Sequence, residues 1–153
     1  MTHLKVGDKA PDFSAIDQNE NRISLSDFSG KKIILYFYPK DNTPGCTAQA
    51  CNLTENYNIL VDKGFVVIGV SPDDSASHLK FISKFNLLFD LIADVDKATS
   101  LTYGVFGPKK FMGREYDGIH RTTFIIDENQ IIEKIFTKVN TKSHTEQILE
   151  SYK

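Results

Sequence analysis

Cys46 and Cys51 are the chain's two cysteines, and both follow the loop Pro39-Lys40-Asp41-Asn42-Thr43-Pro44-Gly45. A cysteine reacts as its thiolate, whether as nucleophile, metal ligand or redox couple. From Cys46 onward Ala50, Leu53, Tyr57, Leu60 and Val61 follow helical spacing and Gly64 is placed to end the run, so the residues predict a helix from Cys46 to Lys63. Cys46 then lies on or beside its first turn. Unpaired N–H groups and the helix dipole favour negative charge there and can lower a thiol pKa from about 8.5 to roughly 3.5–7.5. Cys46 is therefore expected to be largely thiolate at neutral pH. His3, His78 and His144 are scattered without ligand spacing, so neither a metal nor another cofactor is expected.

Ionisation alone accelerates a cysteine nucleophile by only about 30-fold over the free thiol at pH 7. A larger effect needs donors fixed around the atom that receives charge, each contributing roughly 3–4 kcal/mol. Thr43 offers a hydroxyl, the amides of Gly45 and Cys46 offer N–H groups, and a cation would complete such a site.

The elements around this loop read as an α/β domain. Phe13–Ile16 and Arg22–Leu25 flank a polar stretch and predict an N-terminal β-hairpin. Ile33–Tyr38 and Phe65–Val70 are apolar on both parities, as in strands buried on both faces. A helix over Ala76–Asn86 with Leu79, Ile82 and Phe85 inward, a brief strand at Asp90–Ile92 and a short helix over Lys97–Tyr103 follow. Thr122–Asp127 and Ile131–Phe136 predict a second hairpin, and Ser143 with Glu146 forms a capping-box pattern for a last helix burying Ile148, Leu149 and Tyr152. This order implies a mixed sheet flanked by helices, with its chemistry at the carboxyl ends of the strands. The stretch Phe106–Gly113 reads as a long connection in which Phe111 and Met112 either wall a pocket or form a flap over the core.

The composition is that of one globular domain spanning residues 1–153, without repeats or linkers. A net charge of −2 and no basic run longer than Lys31-Lys32 or Lys109-Lys110 argue against nucleic acid as a partner. No window is apolar enough to span a bilayer, and Met1–Lys5 has no apolar run behind a basic flank, which points to the cytoplasm.

Pro39, Thr43 and Cys46 match the Pro-x-x-x-Thr-x-x-Cys motif of peroxiredoxins, and Phe37–Lys40 with Thr43–Thr47 resembles the bacterioferritin comigratory, or Q-type, branch. Val6–Phe13 and Tyr116–Arg121 resemble that branch's opening and late signatures, so the resemblance covers nearly the whole chain. It implies a thioredoxin-like fold, a hydroperoxide substrate, Cys46 as the attacking thiolate, and a site built from Pro39, Thr43, Gly45 and Arg121. It further implies that Cys51 closes a disulfide onto oxidised Cys46, that thioredoxin or a similar dithiol reduces the bond, and that the protein is a monomer. A dithiol exchanger would carry Cys-x-x-Cys, which is absent. A binding module with this fold has no chemical need for Thr43 and Arg121 beside Cys46. His120 is not required as a base if the thiolate is already formed, and Lys40 and Asp41 read as solvated turn residues.

Five residues along a helix give about 7.5 Å of rise and about 140° of rotation, placing the Cα atoms of Cys46 and Cys51 about 8.6 Å apart. A disulfide needs less than about 7 Å. The bond and an intact helix thus exclude each other, and the helix is expected to open during turnover.

Overall fold

The computed structural model describes residues 2–153. The expected N-terminal hairpin forms as β1 (Ser14–Ile16) antiparallel to β2 (Arg22–Ser24). Its turn is closed by the Asp17 carboxylate, which accepts the N–H groups of Asn19 and Asn21 at 2.8 and 3.0 Å. One turn of 3-10 helix, Leu25–Phe28, leads into β3 (Lys32–Phe37), which is buried from Ile33 onward. Then come α1 (Pro44–Glu55), α2 (Tyr57–Asp62), β4 (Phe65–Ser71), α3 (Ser75–Phe85), β5 (Asp90–Ala93) and α4 (Ala98–Thr102). The chain continues through β6 (Phe106–Phe111), β7 (Arg114–Ile119), β8 (Thr122–Ile126), β9 (Ile132–Phe136) and α5 (His144–Glu150).

The central sheet has the order β5-β4-β3-β8-β9, parallel on the β4 side of β3 and antiparallel on the β8 side. Alternate residues of β3 serve two cores. Ile33, Leu35 and Phe37 join Phe13, Leu25, Tyr103 and Phe124 on one face. Ile34, Tyr36 and the following Tyr38 join Cys46, Ala50 and Leu53 of α1, Leu60 of α2, Phe81 of α3 and Ile148 of α5 on the other. Among the described residues no helix is long and apolar enough to cross a membrane.

Four local expectations are corrected. The helix expected over 46–63 breaks at Asn56 (φ −103°, ψ 13°), whose Nδ2 donates to the Asn52 carbonyl at 2.8 Å and competes with the helical ladder. The long connection at 106–113 is a hairpin instead, β6 pairing antiparallel with β7 around Met112-Gly113, both at positive φ (51° and 78°) as a tight two-residue turn requires. Phe111 and Met112 project from its tip, 64% and 86% exposed, and cover no core. In α3 Ile82 and Phe85 pack half-buried against the core as expected, but the fully buried positions belong to His78 and Phe81 and Leu79 is exposed, because His78 turns in to reach a buried carboxylate. In α5 the Ser143 side chain makes no cap, and Tyr152 beyond the helix is exposed rather than buried.

Candidate active site

Strand β3 delivers the chain to the site at the carboxyl edge of the sheet. Tyr38 extends its pairing by one bond to the Val70 carbonyl at 3.0 Å, and the loop to Thr43 then turns over the edge. Asn42 takes the left-handed conformation (φ 57°), which a short polar side chain tolerates. Thr43 is extended and stands at the N-cap position of α1 without a side-chain cap, with Pro44 first in the helix, where its missing N–H costs nothing. The Thr43 hydroxyl donates to the Lys40 carbonyl at 2.8 Å, which leaves the oxygen's lone pairs open to an incoming donor.

Asp41 holds this loop in place, and the expectation of a solvated turn residue is wrong for it. Its buried carboxylate accepts the Tyr38 hydroxyl at 2.6 Å and the Ser77 hydroxyl at 2.8 Å, and it faces His78 Nδ1 at 2.8 Å. Its N–H donates to Asp73, which also accepts the Ser71 hydroxyl. His78 Nε2 lies 2.9 Å from the Ile92 carbonyl, so both ring nitrogens are held by partners on different elements. Tyr38, just past β3, and Ser77 and His78 of α3 thus converge on one carboxylate, while Ser71 of β4 reaches the loop through Asp73, a convergence that a linear reading does not show. Asp41, Asp73 and His78 each present a possible metal ligand atom within 4.8 Å of the others, but those atoms are already hydrogen-bonded within the loop anchor. Lys40 is exposed.

Cys46 is the third residue of α1 and is 1% exposed. Arg121, between β7 and β8, donates from Nη2 to Cys46 Sγ at 3.2 Å and from Nη1 to Gln49 Oε1 at 2.7 Å. The guanidinium fork thus spans one turn of α1. Gly45 makes room for it, since a Cβ there would stand 3.3 Å from Arg121 Nη2. Gln49 escaped the sequence reading, although a glutamine three residues after Cys46, on the helix face that buries Ala50 and Leu53, was a signal. It is fully buried, and its Nε2 has no hydrogen-bond partner.

A second cation also went unread. Lys109 of β6 donates to the Ile119 carbonyl at 2.8 Å, and burial first, then the charge of Arg121, pushes its pKa down. His120 Nε2 lies 2.9 Å from the Pro108 carbonyl and ties this segment to β6. Pro39 is half-buried at the loop entrance. Cys51 is a free, half-buried thiol in the same α1, and burial, then Glu55, raises its pKa. Because α1 is unbroken from Pro44 to Glu55, the two thiols keep the helical separation of about 8.6 Å between Cα atoms. A surface pocket of about 630 Å³ lies at Lys32, Lys63, Phe65 and Tyr152, by the start of β3 and away from this chemistry.

A buried thiol on the first turn after a central strand, with a guanidinium donating to its sulfur, belongs to the thioredoxin-like enzymes that work through one helix-borne cysteine. Residues 6–135 match the model of the AhpC/TSA family. The chain is 47% identical over 150 residues to the bcp relative from Haemophilus influenzae, covering 98% of this chain and 97% of that protein. It is 44% identical over 149 residues to peroxiredoxin Bcp of Escherichia coli K12, covering 97% and 96%. A cysteine-to-serine variant of Xylella fastidiosa PrxQ superposes with a TM-score of 0.92 at 28% identity over 99% of this chain and 97% of that one. The bacterioferritin comigratory protein of Xanthomonas campestris, described for its alkyl peroxide reduction activity, gives 0.87 at 26% over 99% and 96%. The chain belongs to the AhpC/TSA family and is a Bcp/PrxQ-type peroxiredoxin, a thiol peroxidase with two cysteines.

Proposed function

We propose that Cys46 is the peroxidatic residue, Cys51 the resolving one, and Thr43, Gly45, Pro39 and Arg121 the binding and stabilising groups of a single-domain enzyme that reduces hydrogen peroxide and organic hydroperoxides. The observation that carries this reading is the 3.2 Å bond from Arg121 Nη2 to Cys46 Sγ on the first turn of α1. A guanidinium there holds the thiolate's charge and faces the place where the departing oxygen becomes anionic. The Thr43 oxygen can accept the hydroperoxide's O–H, and the loop anchored by Asp41 keeps it three residues before the thiol, at the start of α1.

In the first step the Cys46 thiolate attacks the terminal oxygen, the O–O bond breaks, and the leaving alkoxide or hydroxide takes a proton to give alcohol or water. Cys46 becomes sulfenic acid. In the second the Cys51 sulfur attacks the Cys46 sulfur, forming the disulfide and releasing water. An external dithiol then reduces the bond and is itself oxidised; thioredoxin in the cytoplasm fits that role, and an intrachain disulfide needs no second subunit. The test is a non-reducing peptide map after one equivalent of peroxide, together with Cys51→Ser. The expected result is one intrachain Cys46–Cys51 bond, and a variant that consumes about one equivalent of peroxide in a burst but does not turn over with thioredoxin. Undiminished turnover by Cys51→Ser would show that another thiol resolves Cys46.

A further inference from the structure

Helix α5 is capped from outside itself. Ser143 stands at the capping position without a side-chain bond, and its N–H donates to the Asn140 carbonyl. Asn52 of α1 performs the capping in its place. Its Oδ1 accepts the Thr145 N–H at 2.8 Å, and its Nδ2 donates to the Glu146 carboxylate at 3.2 and 3.4 Å and to the Lys142 carbonyl at 3.2 Å. The Asn52 carbonyl also accepts the Thr145 hydroxyl at 3.4 Å and both the N–H and the Nδ2 of Asn56. Asn52 and Thr145 are buried, so the bond between the Asn52 Oδ1 and the Thr145 N–H has no ready exchange for water, whereas Lys142 and Glu146 are exposed. It is the residue directly after Cys51.

We propose that Asn52 is a positioning residue for disulfide formation, the fixed end at which the unwinding of α1 stops. This rests on the reading of Cys51 as the resolving thiol. Unwinding from Pro44 through Cys51 releases inward residues that are small or polar, namely Cys46, Gln49 and Ala50. One residue further, it would strip Asn52 from α5 and leave the Thr145 N–H and the Glu146 carboxylate without their buried partner. Cys51 therefore stays near its reduced position beside a docked Asn52, and Cys46 leaves Arg121 and travels to it. The five-residue span is ample, since an extended chain covers about 3.3 Å per residue.

Amide hydrogen exchange on the full chain, in the reduced form and after peroxide, tests this. Two amides bond to Asn52 and report its docking: Thr145 N–H and Asn56 N–H. In the oxidised wild type, amides from Thr47 onward in the first two turns of α1 should lose protection, while Thr145 and Asn56 keep theirs to within about threefold. In Asn52→Ala, oxidation should deprotect Asn56 as well, because nothing then holds the helix beyond Cys51. The double swap Asn52→Asp with Glu146→Gln retains the acceptor for Thr145 and reverses the second hydrogen bond, so it should restore Asn56 protection. It also keeps the test available if Asn52→Ala does not fold. Loss of Thr145 protection in a wild type mapped as the Cys46–Cys51 disulfide would overturn the pivot alone, as would an oxidised Asn52→Ala that still protects Asn56. Absence of that disulfide overturns the pivot together with the assignment of Cys51.

Discussion

Gly45→Ala should make the protein no less stable and slower, because the same methyl group acts oppositely on the helix and on the arginine. Gly45 is the second residue of α1 and its φ lies outside the left-handed region, so alanine fits the backbone and removes a helix penalty of about 0.5–1 kcal/mol. For a chain of this length that corresponds to a rise of roughly 2–4 °C in melting temperature per 1 kcal/mol. The new Cβ would stand 4.0 Å from Thr141 Cγ2, an ordinary contact, but 3.3 Å from Arg121 Nη2, a few tenths of an ångström too close. Arg121 has little freedom to yield sideways, since Nη1 is held by Gln49 at 2.7 Å. The displacement therefore falls on the 3.2 Å bond to Cys46 Sγ. A hydrogen bond to a charged group contributes about 1.5–3 kcal/mol, so weakening it should slow Cys46 oxidation by roughly 10- to 100-fold. Stopped-flow oxidation of the reduced protein by peroxide gives the rate, and calorimetry of the same sample gives the melting temperature. A folded variant reacting at the wild-type rate would refute the reasoning, and so would a rate loss matched by a fall in melting temperature.

Asp41→Ala removes the shared partner of Tyr38, Ser77 and His78 at once and leaves these polar groups unpaired; it should cost about 3–5 kcal/mol in urea unfolding and slow Cys46 oxidation as the Thr43 loop loosens. A loss under about 1 kcal/mol would mean that the carboxylate does not anchor the loop. His144 is buried, and desolvation lowers its pKa from 6.5 to about 4; Thr123 Oγ1 lies 2.9 Å from Nε2 and Gln147 Oε1 lies 2.9 Å from Nδ1, as suits a neutral ring. A folded-state pKa below the unfolded one gives stability that is complete above pH 6.5 and lost as pH falls toward 4, amounting to about 3 kcal/mol. Urea midpoints between pH 7 and 4.5 should fall less steeply in His144→Asn than in the wild type, and identical slopes would remove His144 as the cause.

The thiol pocket was legible because its residues sit in short, ordered motifs. Pro39, Thr43 and Cys46 lie within eight positions, and a strand followed by a helix is enough to place them at a sheet edge. Arg121 came from the resemblance alone, since no local pattern says that a residue 75 positions away meets Cys46. Features decided by tertiary contact were not legible. Asp41 looked like a turn residue because two of its carboxylate's three partners, Ser77 and His78, come from α3, 36 and 37 positions away. Ser143 and Glu146 carried a valid capping pattern, yet Asn52 arrives from α1, accepts the Thr145 N–H and donates to the Glu146 carboxylate that the pattern would have used. The β6–β7 hairpin was hidden because Gly107-Pro108 and the paired lysines mask its alternation, while the turn is made by Met112-Gly113.

The reduced fold favours the first chemical step and blocks the second, and the first step itself weakens that block. Burying Cys46 against Arg121 suits a thiolate, but it keeps Cys51 out of bonding range and, through desolvation, raises the pKa of the thiol that must attack. With Cys46 in the thiolate form that attacks peroxide, opening α1 would break a charge-assisted bond from the guanidinium as well as exposing Cys46 and Ala50, whose apolar burial amounts to only about 2 kcal/mol. Once Cys46 is a sulfenic acid the negative charge is gone and the guanidinium holds a neutral group, which lowers the cost of opening by the difference between a charged and a neutral hydrogen bond, about 1–2 kcal/mol. Unwinding of the turns before it then opens Cys51 to water where it stands and relieves the desolvation that raised its pKa, so the motion that brings Cys46 to it also prepares the second nucleophile.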